Sequence, residues 1–159
     1  MNDSSLTLQR ADDGEWLAVD ADGRVIGRGG AARRSGFVSI DAWSAAAFDL
    51  IAETLVADFA PPLRTLVDAG DADLQAAWLR HGFVEQRREV LYRIPFDPAG
   101  GPPPIAELPA VRSVRSQSGR PTPFLAADVD AGDAATIAAI EAAGGVAVET
   151  TVELARGLA

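Results

Sequence analysis

"VDAGDADLQAAWLRHGFV", residues 67–84, aligns without a gap on "VDAGDAATIAAIEAAGGV", residues 129–146. Val67, Asp68, Ala69, Gly70, Asp71 and Ala72 recur in order as Val129, Asp130, Ala131, Gly132, Asp133 and Ala134. Ala76, Ala77, Gly82 and Val84 recur as Ala138, Ala139, Gly144 and Val146. Both copies read as the end of a strand, a capped helix, a glycine stop and a long strand. Asp71 and Asp133 suit the N-cap because a carboxylate accepts the free backbone N–H groups of a first helical turn. Gly82 and Gly144 suit the left-handed residue that ends a helix. A repeated strand–helix–strand unit predicts an α/β (α+β) chain, a sheet flanked by helices.

Upstream of the first copy, "EWLAVDADGRVIGRG" reads as a hairpin. Asp22-Gly23 is expected to form a two-residue type I′ turn, with positive φ at both positions. "GFVSIDAW" (36–43) is a third strand. "SAAAFDLIAETLVADF" (44–59) is a helix capped by Ser44, with Phe48, Ile51, Leu55 and Phe59 on one stripe, and Pro61-Pro62 ends it. "LRTLVDAG" (63–70) is a short apolar strand suited to a buried position. Downstream, "VEQRREVLYRIPF" (84–96) is a long strand with Val84, Gln86, Arg88, Val90, Tyr92 and Ile94 on one face. "DPAGGPPPIAELPA" (97–110) reads as a linker, extended rather than packed. "VRSVR" and "PFLAADV" are strands, "DAATIAAIEAAG" is a helix and "VAVETTVELAR" is a final strand. The expected organisation is a domain over 1–96, a Pro/Gly-rich linker over 97–121 and a smaller unit over 122–159.

The chain has 159 residues, a formal net charge of −9 and 48% hydrophobic residues, and every cation is arginine. That charge argues against nucleic acid and against an anionic membrane surface as partners, since both call for a basic face. With no cysteine and one histidine, His81, disulfides and thiolate metal sites are excluded and no metal is expected. The N-terminal stretch "MNDSSLTLQR" has no apolar signal region and no run reaches membrane-spanning length, so the expectation is a soluble cytoplasmic protein.

The repeated unit resembles the C-terminal half of a GCN5-related N-acetyltransferase (GNAT), whose pattern is N-x-x-A-x-x-x-Y-x-x-x-G-F entering a long strand. Asp71 stands at the Asn, Leu74 at the Ala, Trp78 at the Tyr, and Gly82-Phe83 complete it. The upstream order of hairpin, third strand, long helix and strand also resembles the family. The resemblance covers about residues 15–95 as one truncated copy and about 122–157 as the end of a second, a shortened version of the tandem plan of actinobacterial type. It implies a mixed, mostly antiparallel twisted sheet, and it raises acetyl-CoA as the cofactor to be tested for.

In the family, the loop that grips the coenzyme's diphosphate joins the strand before the long helix to that helix, so that glycine N–H groups and the helix dipole meet the phosphates. Here that junction is "SIDAWSAAAF", without a glycine. The resemblance makes Trp43, Ser44 and Ala45 the cofactor-binding candidates, and the indole of Trp43 is expected to crowd the place where the coenzyme would approach. "RVIGRGGAARR" (24–34) does spell R-x-x-G-x-G through Arg24, Gly27 and Gly29, but it leaves a hairpin turn. It is read as a strand running into a flexible connection whose Arg28, Arg33 and Arg34 form a solvated surface, with capture of an anion by that loop as the alternative.

Amine acetylation requires a base and commonly an acid. The residues matching the family's tyrosine acid are Trp78 and, in the repeat, Ile140, and neither has a suitable proton. Tyr92 is expected to be a half-buried sheet residue. His81 is expected to sit at a helix C-terminus, where the dipole favours a cation. Asp49 and Glu53 read as solvated helix face, and Asp41 as support for the next helix's N-terminus. Glu85, Glu89, Arg87, Arg88 and Arg93 read as cross-strand pairs. No catalytic residue is assigned.

Three functions follow. The first is a non-catalytic or weakly active scaffold or dimerisation module, with no cofactor. The second is an acetyl-CoA-dependent N-acetyltransferase acting on a small amine. The third is a small-ligand sensor using the split between strands that the family uses for its cofactor. A homo-oligomer, most simply a dimer, is expected because a truncated copy leaves a sheet edge uncovered, and because residues 122–157 are too few to hold a core alone.

Overall fold

The computed structural model describes residues 5–158. Among the described residues the chain is mixed α/β, with two antiparallel sheets and three α-helices. Contacts divide the described residues into two compact units. The first holds those up to Val67, Asp71–Gln86 and those from Glu153 on; the second holds Asp68–Gly70 and Arg87–Val152.

In the first unit, β1 (Thr7–Arg10), β2 (Trp16–Val19), β3 (Val25–Ala31) and β4 (Val38–Ala42) form an antiparallel sheet in chain order. β1 lies in the stretch read only for its lack of a signal region; it is short and mostly exposed, so the pairing of Leu8 with Ala18 defines it better than periodicity does. The β2–β3 hairpin forms where expected, but with a different turn. Gly23 alone has positive φ, 79°. Its N–H donates to Asp20 O, and Asp20 N–H donates to Arg24 O, both at 3.0 Å. The Asp20 carboxylate accepts from Asp22 and Arg24 N–H at 2.9 Å. Asp22 thus keeps an ordinary backbone, and the extra residue is absorbed by a glycine bulge.

α1 (Ala45–Asp58) starts at Ser44, whose hydroxyl accepts from Ala47 N–H at 3.2 Å. Phe48, Ile51 and Leu55 are buried as their spacing predicts. The helix sits on β3, and this explains "RVIGRG". A Cβ on Gly29 would come within 2.7 Å of Ile51 Cγ2, and one on Gly27 within 3.2 Å of Ile51 Cδ1. The two glycines are seats for a helix on a strand. Burial of Ile51 in that seat contributes about 2 kcal/mol.

β5 (Leu63–Asp68) is buried on one face only: Leu63, Thr65 and Val67 are covered while Leu66 is exposed, so the apolar run is half-buried rather than buried. β5 neighbours β9 (Val146–Arg156), whose last residues belong to this unit. There Arg64 meets the carboxylate of Glu153 at 3.6 Å. Phe37, the residue before β4, makes an isolated parallel bridge with Arg64 of β5. α2 (Ala72–Arg80) follows, and the first residues of β6 (Val84–Pro95) close the unit.

In the second unit the strand order is β9-β6-β8-β7, with β7 (Val111–Arg115) and β8 (Pro121–Asp130). Tyr92 pairs with Ala127 and Ile94 with Leu125. With Val129 and Ile140 of α3 (Ala134–Ala142) they make the core. The inward face of β6 is partly covered at Val90, which packs on the core, and fully buried at Tyr92 and Ile94, while its first five residues are exposed. Residues 97–110 differ from the extended linker that their Pro and Gly content predicts. They form two short 3-10 turns, Pro98–Gly100 and Pro104–Glu107, and Ile105, Ala106 and Ala110 pack on the core. Apolar residues between the prolines give the segment something to bury, and that outweighs its composition.

Candidate functional site

The cap of α2 is built locally. Asp71 accepts from Leu74 N–H at 2.9 Å, and Asp68 accepts from Gly70 N–H at 2.6 Å. Beside it, the end of β4 and the first turn of α1 complete a cleft of about 570 Å3 lined by Asp41, Ser44, Ala45, Phe48, Asp71, Asp73 and Arg80, among others. Two helix N-termini therefore face one concavity, a place that would ordinarily favour an anion.

The side chains reverse that preference. Three carboxylates, Asp41, Asp71 and Asp73, line the cleft against one guanidinium, Arg80. Arg80 is itself engaged, Nη2 donating to Asp49 Oδ1 at 3.1 Å. Asp41 lies 3.9 Å from Arg28, its cross-strand partner, with both side chains more than half exposed. A pair at that distance in water contributes little. Repulsion of a second anion by each unneutralised carboxylate is on the order of 1 kcal/mol at 4 Å in water.

Of the three cofactor-binding candidates, Ser44 and Ala45 line the cleft, and the Ser44 hydroxyl is occupied as a cap. Trp43 is not among the lining residues. Its backbone N–H donates to Ile26 O at 3.0 Å and the residue is 68% exposed. The indole therefore points into solvent rather than crowding the cleft as expected. What distinguishes this corner is its charge.

The two residues that the resemblance set against a tyrosine acid, Trp78 and Ile140, are buried. Trp78 is 2% exposed, edge-on to Phe48 at 5.0 Å between ring centroids and to Phe83 at 4.7 Å. Ile140 is fully covered. Tyr92 is 5% exposed, more buried than expected, and its hydroxyl donates to Glu141 Oε1 at 3.2 Å. Burial pushes its phenol above the ordinary value, with the Glu141 hydrogen bond and charge acting in the same direction.

His81 does end α2, as expected, but it has a partner the sequence hid. Its Nε2 donates to Asp49 Oδ1 at 2.8 Å, and its carbonyl accepts from Arg156 Nε at 2.9 Å. Asp49 is thus not the solvated face expected of it. Burial acts to raise its carboxyl, but the hydrogen bonds and charges of His81 and Arg80 outweigh this and hold it below the usual carboxylate value. On β6, Arg87 pairs with Glu89 along the strand at 3.1 Å, and Arg93 lies 4.2 Å over the Phe124 ring.

Among the described residues, no group of three or more histidines, aspartates or glutamates gathers as a metal site, and no helix is long and apolar enough to cross a membrane. No family model matches the chain, and no curated protein matches it.

Proposed function

We propose that the chain is a GNAT-like module, with a partial second copy at its C-terminal end, that has no coenzyme grip and works by association as a cytoplasmic scaffold or dimerisation unit. The order of elements from β2 to β6 supports the acetyltransferase-like reading, as does the isolated parallel bridge between Phe37, just before β4, and Arg64 of β5. The recurrence of the Asp cap at Asp71 and Asp133 supports the second copy.

One observation carries the absence of a coenzyme. The cleft at the starts of α1 and α2 presents Asp41, Asp71 and Asp73 where a diphosphate would lie, and its one cation is held by Asp49. Association is supported by exposed apolar strand residues, Leu66 and Val84 in the first unit and Val146 and Val148 in the second.

The second reading, an acetyl-CoA-dependent N-acetyltransferase on a small amine, is favoured by the cleft itself, whose carboxylates suit an ammonium group. Calorimetric titration with acetyl-CoA and with CoA separates the two readings. The expected result is no saturable heat with either. One-to-one binding in the micromolar range usual for substrates overturns the scaffold reading. Sedimentation equilibrium is expected to find a dimer, and a monomer throughout the micromolar range removes the dimerisation role.

A further inference from the structure

We draw no further inference here: the strongest candidate, the cavity of about 460 Å3 in the first unit lined by Phe37, Val38 and Ser39 of the β4 side and Thr65 and Leu66 of β5, is an apolar groove, and nothing in the structure shows what covers it.

Discussion

α2 and α3 open with the same chemistry and close with opposite choices of side-chain volume. Asp71 accepts from Leu74 N–H at 2.9 Å and Asp133 from Thr136 N–H at 3.1 Å, with cap dihedrals of −90° and 76° in one and −85° and 75° in the other. At the C-terminal end the backbone again agrees: Phe83 N–H donates to Trp78 O, and Gly145 N–H to Ile140 O. The residues on that shared frame do not agree. Position 78 is Trp against its neighbour Phe83, whereas the matching pair is Ile140 and Gly145. A Cβ on Gly145 would run into Ile140 Cγ2 and the Ile140 carbonyl. The lesson is that the capping bonds preserve a backbone while packing sets the volumes, and the two are chosen separately.

The largest effect should come from those volumes. Trp78→Ala removes a buried indole touching two aromatic rings and is expected to cost about 4 kcal/mol, against about 3 kcal/mol for Ile140→Ala. Urea denaturation followed by circular dichroism measures both. An Ile140→Ala cost equal to or above that of Trp78→Ala breaks the contrast.

A smaller effect tests the glycine. Gly145→Ala overfills the end of α3 and is expected to cost about 1–3 kcal/mol, read as a lowered Tm. The aligned substitution Phe83→Ala destabilises for the opposite reason, by leaving space beside Trp78. If Gly145→Ala is neutral, then Ile140 has room to move and the pairing of volumes is not real.

The smallest effects concern the caps and the one feature that α2 has and α3 lacks. Asp71→Ala is expected to cost about 1 kcal/mol, the ordinary value of an N-cap, measured by thermal unfolding. Asp49→Asn removes the partner of His81 and Arg80 and is expected to cost no more than about 1 kcal/mol, because Asp49 and Arg80 are both more than a third exposed. Its sign is specific. The Asp49 carboxyl is held below 3.8, so its contribution is present above that value and is lost as the pH falls through the lower folded value. Tm measured from about pH 6 to about pH 3 should fall less steeply in Asp49→Asn than in the parent protein. Equal slopes would mean that the pair contributes nothing.

The features legible in sequence are those made by residues close together in the chain. The Ser44, Asp71 and Asp133 caps each join residues three apart. The stripe Phe48-Ile51-Leu55 and the left-handed Gly82 and Gly144 are equally local. The β2–β3 hairpin was legible in existence but not in turn type, because the Asp20 carboxylate competes for the N–H groups that a two-residue turn would leave free. Of the candidate cleft, Ser44 and Ala45 could be named in advance, but the convergence of Asp41, Asp71 and Asp73 could not.

Local hydrogen bonding and periodicity, then, determined by themselves where the helices of this protein begin and end and that the stretch 67–84 recurs at 129–146. Tertiary structure alone decided that Asp49 meets residues more than thirty positions away, that Gly27 and Gly29 seat a helix instead of wrapping a phosphate, and that Trp43 faces water. The reason is physical: a cap is satisfied within one turn of chain, whereas charge pairing and close approach depend on distances in space that spacing along the chain does not encode.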